Sequence, residues 1–163
     1  MFNIRIGNGY DIHRLIPYKD LILGNVHIPF DMGFLAHSDG DVLIHAIIDS
    51  LLGAANLSDI GTLFPDTDPQ YKSIDSRILL EKTISLVREK KFEIINIDST
   101  IIAEQPKLKP YIPEIKKKLA TILNIEEEQI SLKAKTKEKL DAVGELKAIE
   151  VFSVCLLSKI KNG

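Results

Sequence analysis

From Ser38 to Asn56 the chain carries Val42, Leu43, Ile44, Ile47, Ile48, Leu51 and Leu52, an apolar series too long for one strand and spaced for a helix. Ser38 with Asp41 three residues on resembles a capping arrangement, and Gly53 near the far end fits helix termination. Such a helix must bury its apolar side against another layer. Asn3 to His13 alternates Ile4 and Ile6 with polar neighbours, and Gly7-Asn8-Gly9 points to a bulge or a close backbone approach. Arg14 to Asp20 reads as loop. Gly24-Asn25 between Leu21-Ile22-Leu23 and Val26-His27-Ile28-Pro29 predicts a short hairpin. Asp59 to Pro69 reads as an ordered surface loop, and Ser76 to Lys90 as a second amphipathic helix. Phe92 to Ala103 is rich in β-branched residues, as a buried strand would be. Pro110 to Leu123 is a third helix if Pro113 falls in its first turn. Ile130 to Thr136 and Ala148 to Leu157 complete the strands, with a turn around Asp141 to Gly144. This order predicts an α/β fold of the α+β type, a sandwich of one mixed sheet with helices on one face. Without repeats or linkers, residues 1–163 read as a single domain.

Composition narrows the function classes. Cys155 is the only cysteine, which excludes an intrachain disulfide framework, an all-cysteine zinc site and a CxxC redox centre. Lys and Arg number 21 against 23 for Asp and Glu, a net charge of -2, so no global basic field draws in nucleic acid. No apolar stretch approaches the ~20 residues that cross a bilayer. The amino terminus lacks a basic segment followed by an apolar core, and a cytoplasmic protein with no membrane partner is expected.

Asp11-Ile12-His13 places two metal-capable side chains at i and i+2, on one face of a strand. The same pair also fits an aspartate accepting hydrogen bonds in a turn beside a surface histidine. Asp41, His45 and Asp49 stack at i, i+4 and i+8 on the first helix, and carboxylates among Leu and Ile are costly to bury unless something pairs with them. If Asp11, His13 and His45 converge, they supply three ligands and leave a fourth tetrahedral position open, the form of a catalytic zinc site. His37 and Ser38 sit at the amino end of the same helix, where unpaired N–H groups favour a phosphate. Lys133, Lys135, Thr136, Lys137, Glu138 and Lys139 combine phosphate donors with a carboxylate able to hold Mg²⁺, or form a charged edge strand. His27 and Cys155 read as structural.

Several motifs coincide in order: Gly9 to His13, Ala36 to Val42 with His45, Ala46 and Asp49, Leu51 to Ala54, Asp59 to Gly61, and Phe64 to Pro69. With Thr100 to Lys107 and Lys133 to Leu140, nearly the whole chain resembles the 2-C-methyl-D-erythritol 2,4-cyclodiphosphate synthases of the non-mevalonate isoprenoid (terpenoid) pathway. The resemblance implies a lyase that converts 4-diphosphocytidyl-2-C-methyl-D-erythritol 2-phosphate to the 2,4-cyclodiphosphate and CMP. It implies Zn²⁺, one per subunit, on Asp11, His13 and His45, and Mg²⁺ or Mn²⁺ on Glu138. It makes His37 and Thr136 the groups that polarise the transferring phosphoryl. Substrate contacts would come from Asp11, His13, His37, Ser38, Asp59, Ile60, Gly61, Phe64, Asp66, Asp68, Ala103, Gln105, Pro106, Lys107, Lys135, Thr136 and Glu138. Of these, Asp59 and Gly61 would meet the ribose, Asp66 the methylerythritol part, and 103–107 the cytosine. It also implies a homotrimer with sites between subunits.

The chain departs from the family after Leu140. The aromatic and the arginine usual there are replaced by Ala142 and Glu145, and Ser58 stands where glycine is usual. Those two positions line the family's trimer axis, and Glu145 would repel the isoprenoid diphosphate sometimes held there. Two other readings use the same residues: a zinc-dependent nucleoside-diphosphate phosphohydrolase, and a catalytically silent nucleotide-binding module.

Overall fold

The computed structural model describes residues 3–36 and 38–160. In chain order the strands are β1 (Ile4–Pro17), β2 (Leu21–Leu23), β3 (Val26–Ile28), β4 (Met32–Phe34), β5 (Phe92–Ile102), β6 (Ile130–Lys135) and β7 (Ala148–Lys159). The helices are α1 (Val42–Ala55), α2 (Ile60–Leu63), α3 (Ser76–Glu89), α4 (Ile112–Leu123) and α5 (Asp141–Gly144), with 3₁₀ turns at Pro69–Tyr71 and Glu127–Gln129. Among the described residues the main sheet has the order β4-β1-β7-β5-β6, and only β5 and β6 run parallel, so the sheet is mixed. The β2–β3 hairpin stands apart from it.

Several boundaries differ from expectation. Residues 14–17, expected as loop, extend β1, because the short β4 pairs with Leu15–Pro17. Gly7 and Gly9 form no bulge: the β1–β7 register runs unbroken from Ile4↔Ser158 to Arg14↔Ala148. They are there for close approach. A Cβ on Gly7 would lie 1.9 Å from the Ser50 carbonyl oxygen, and one on Gly9 would lie 1.9 Å from that of Ala46, so the α1 backbone rests directly on β1. The cap of α1 is Asp41 itself rather than Ser38, and the helix ends at Asn56 in the left-handed region (φ 56°) rather than at Gly53. The 59–69 loop contains α2, and the expected turn at 141–144 is the short helix α5.

Asp41 is fully buried and accepts three backbone N–H bonds, from Ile44 (3.1 Å), Gly24 (3.0 Å) and Asn25 (2.7 Å). Gly24 and Asn25 both have positive φ, as the tightest hairpin turn requires. One carboxylate therefore starts α1 and clamps the hairpin turn. Asp41 caps the helix from outside it and is taken up by the hairpin turn, whereas His45 and Asp49 lie within α1. Burial pushes the Asp41 carboxyl up to about 6, against N–H donors that favour the charged form.

Odd-numbered residues of β1 and β7 face α1, and Ile149, Val151, Cys155 and Leu157 pack there with Ile97 and Ile101 of β5. Cys155 donates to the Ser50 carbonyl (3.1 Å), and burial raises its thiol to about 11, which makes it a packing residue. His27 is exposed and faces Asp20 at 3.2 Å. The even-numbered residues form a second face on which Ile6, Tyr10, Ile12, Phe152 and Val154 are 42–73% exposed. No described helix is long and apolar enough to cross a membrane.

Candidate active site

Asp11 and His13 project from β1 on the α1 side, and His45 comes from the first turn of α1. Because Gly9 lets the two backbones touch, the three side chains meet: Asp11 Oδ2 lies 3.3 Å from His13 Nε2 and 3.2 Å from His45 Nδ1. One donor atom from each falls within 4.8 Å of the others. Tetrahedral zinc with bonds of about 2.0 to 2.1 Å has ligand atoms about 3.3 Å apart, and the donor set fits such an ion.

Hydrogen bonds on the far side of each ring fix which nitrogen is free. His13 Nδ1 faces the Gly40 carbonyl oxygen at 2.8 Å, an acceptor only, so Nδ1 carries the proton and Nε2 offers its lone pair. His45 Nε2 lies 2.9 Å from Ser76 Oγ, whose own hydrogen goes to Asp39. Nε2 is therefore the donor and Nδ1 is free. Asp39 also accepts from the Ser76 N–H (3.0 Å), so it holds Ser76 through two bonds. Burial lowers the His13 pKa while the Asp11 charge opposes it, a shift toward the neutral ring that a metal requires.

The triad opens into a cavity of about 450 Å³ that Ser38, Ile60, Gly61, Phe64 and Asp66 also line. Asp49 accepts from the Ile60 N–H (2.8 Å) and Asp59 from that of Thr62 (2.7 Å), so two carboxylates seat α2 at the cavity wall. Burial raises the Asp49 pKa, opposed by the Ile60 N–H and reinforced by the charge of Asp59. Asp68 caps the following 3₁₀ turn through the Gln70 N–H (3.0 Å) and does not line the cavity. Ser58, just before α2, takes φ 77°, a backbone glycine would adopt without strain. His37 lies outside the described residues.

A second cavity of about 180 Å³ is lined by Ala103, Glu104, Pro106, Lys107, Lys135 and Thr136 among others. Gln105 is exposed beside it. Thr136 donates to Glu138 (2.7 Å), and both are exposed. Ala142 and Glu145 are also exposed, and Glu145 pairs with Lys147. The structure thus gathers Asp11, His13, Ser38, His45, Ile60, Gly61, Phe64 and Asp66 in one cavity and Ala103, Pro106, Lys107, Lys135 and Thr136 in another.

Sequence reasoning missed Ser76, the Gly40 carbonyl and the apolar wall of Leu35, Tyr71, Ile74 and Leu79. Asp39 lies inside a recognised motif, and the helix-start signal at Asp75-Ser76 was available. Nothing in the spacing ties Ser76 to His45.

A protein of Parabacteroides distasonis named 2-C-methyl-D-erythritol 2,4-cyclodiphosphate synthase is 52% identical over 157 residues, 96% of this chain and 98% of its own length. Among solved structures, the bifunctional IspDF of Campylobacter jejuni superposes with a TM-score of 0.95 at 42% identity; the match covers 99% of this chain and 44% of that longer one. IspF of Plasmodium falciparum, solved as a CDP complex, gives a TM-score of 0.86 at 44% identity with 97% of each chain covered. Residues 4–158 match the YgbB family, and the chain belongs to that family.

Proposed function

We propose that this chain converts 4-diphosphocytidyl-2-C-methyl-D-erythritol 2-phosphate to 2-C-methyl-D-erythritol 2,4-cyclodiphosphate, releasing CMP. The observation that carries the reading is the triad, with one free lone pair from each histidine turned toward the same Asp11 oxygen inside a cavity. Family membership and the names of the relatives support the activity, and the P. falciparum complex supports a cytidine nucleotide as ligand. Neither the hydrolase nor the silent-module reading has an observation in its favour.

Asp11, His13 and His45 would hold Zn²⁺, and Glu138 a Mg²⁺ or Mn²⁺ ion. When bound, these ions neutralise phosphate oxygens as Lewis acids. In the reaction, a 2-phosphate oxygen forms a bond to the β-phosphorus and the bond from that phosphorus to the CMP oxygen breaks. The nucleophile is already an anion, so no general base is assigned. What the protein supplies is positioning and charge neutralisation. Ser38 would hold the methylerythritol phosphate; Asp59 and Gly61 the ribose, with Ile60 beside them; Phe64, Asp66 and Asp68 the methylerythritol side. Ala103, Gln105, Pro106 and Lys107 would receive the cytosine. Lys135 and Thr136 would donate to the diphosphate, with His37 paired to Thr136 in polarising it. The apolar lining of Leu35, Phe64, Ile74 and Leu79 would limit water at the transferring group once substrate is bound, which favours the cyclic over the hydrolysed product.

The reading takes the chain as one domain working as a homotrimer, with sites between subunits. The exposed apolar sheet face around Tyr10, Ile12, Phe152 and Val154 supports an assembly contact. The single thiol is buried and unpaired, which supports a cytoplasmic enzyme. With Glu145 exposed where an arginine is usual, an axial isoprenoid diphosphate is expected to be absent or replaced, and co-purification of one would overturn that point.

The test is ³¹P NMR of the protein with this substrate, Zn²⁺ and Mg²⁺, beside His45→Ala. Paired cyclodiphosphate resonances with CMP release, lost in the variant, are expected. A linear phosphate product would favour the hydrolase, and bound but unchanged substrate the silent module.

A further inference from the structure

The loop that carries Thr136 and Glu138 has a backbone that should not hold itself. Glu138 and Lys139 both adopt left-handed φ, 52° and 61°, without being glycine, and each such residue costs about 1 kcal/mol or more unless its surroundings enforce it. Successive N–H groups around left-handed residues form a concave nest that binds an anion. Here the anion comes from the chain itself. Glu104 Oε2 accepts the N–H of Lys137 at 3.1 Å and that of Lys139 at 3.3 Å, the two amides that flank Glu138. The neighbouring backbone is tied as well, since the Ala103 N–H donates to the Lys135 carbonyl at 2.9 Å. On its other side the Lys137 ammonium pairs with Glu150, which is 5% exposed and also accepts from Tyr10 Oη at 2.9 Å.

We propose that Glu104 is a positioning residue: its carboxylate fills the nest of Lys137 and Lys139 and so fixes the Thr136 hydroxyl and the Glu138 carboxylate relative to the second cavity. The hydrogen bonds of Glu104 to this loop go to the backbone amides of Lys137 and Lys139, so it acts on Thr136 and Glu138 through the backbone. Because it sits between Ala103 and the Gln105-Pro106-Lys107 wall, it makes the nucleotide-side lining and the loop with the second ion-binding carboxylate a single unit. A nucleotide that orders the wall thereby orders Glu138, so the divalent ion and the nucleotide bind cooperatively. The inference rests on the assignment of Glu138 given above.

The test uses the full-length protein and its Glu104→Gln, Glu104→Ala and Glu138→Gln variants. Hydrogen exchange of the 136–140 peptide reads the nest directly: protection of the Lys137 and Lys139 amides should fall by about tenfold or more in Glu104→Ala and less in Glu104→Gln, which keeps an acceptor oxygen but loses the charge. Mn²⁺ affinity, measured by paramagnetic resonance with CDP present, should weaken by about 10- to 100-fold in Glu104→Ala, with partial recovery in Glu104→Gln. Turnover should fall while melting temperature holds. Unchanged protection in Glu104→Ala overturns the inference, as does lost protection with wild-type Mn²⁺ affinity and turnover. Wild-type Mn²⁺ affinity in Glu138→Gln would instead defeat the assignment of Glu138, leaving the exchange result to judge the nest alone.

Discussion

The two cavities are built by opposite strategies. Around Asp11, His13 and His45 every functional atom is already committed: far-side hydrogen bonds set the tautomers, Asp39 locks Ser76, and Asp49 seats α2. Around Lys107, Lys135, Thr136 and Glu138 the side chains stand in solvent, with Thr136 bonded to Glu138, and the loop is anchored to Glu104 through its backbone. The first region is organised by the core that folds it, and the second leaves its side chains exposed at the surface. Substitutions should therefore act differently in the two: on stability and metal affinity in the first, on turnover with stability intact in the second.

The largest effect is expected from Gly9→Ala, whose new methyl would lie 1.9 Å from the Ala46 carbonyl oxygen. Backbone cannot yield as a flexible side chain does, and a loss of about 4 kcal/mol or more is expected by urea unfolding. Native stability with native metal affinity would break the comparison at its root. Ser76→Ala removes the partner of His45 Nε2 and should weaken zinc binding by about 10- to 100-fold in a chelator competition, with little change elsewhere. Equal affinity in the variant would mean that the ring is held by packing alone.

In the open region, Thr136→Val should lower turnover by about tenfold, the loss of one hydrogen bond to a charged phosphoryl group. Its stability should stay within about 0.5 kcal/mol of the parent, as for other exposed positions; a clear fall in melting temperature would erase the contrast between the two regions.

A further effect concerns pH. The buried Asp41 carboxyl is pushed up to about 6 in the fold, against about 3.9 when unfolded. The native state holds this proton more tightly, so the group's contribution to stability is present below pH ~4 and lost as pH rises toward 6. The Asp41→Asn variant cannot titrate there. The gap in melting temperature between native protein and variant should narrow from pH 4 to 6 and stay flat above; a widening gap would show that the three N–H donors outweigh burial.

Much of this was legible in the sequence. Periodicity located the three long helices and the long strands, and Gly24-Asn25 announced its hairpin, because those signals are local. The metal triad was legible as candidates, since Asp11 and His13 share a strand face and His45 lies on the first helix, but their convergence was not. What the sequence concealed is non-local. Gly7 and Gly9 admit a bulge as readily as a close approach until the helix is seen against them. The cap of α1 could not be assigned to Asp41 without knowing that the hairpin turn needed the same carboxylate. Ser76 follows an ordinary helix start, and its link to His45 spans 31 residues. Glu104 sits in a segment read for the cytosine, with nothing to tie it to amides 33 and 35 positions away.

The contact of α1 with β1 through Gly9 acts as a gauge block. Helix and strand are spaced by backbone atoms, which cannot adjust, so the gap between the Asp11 oxygen and the His45 nitrogen is machined by a residue with no side chain. A larger residue at position 9 would leave all three ligands in place and still spoil the site, by shimming the helix outward. Ligand residues alone are then a poor warranty of a working centre in any redesign of this fold, and the first position to check is the one that contributes nothing but the absence of an atom.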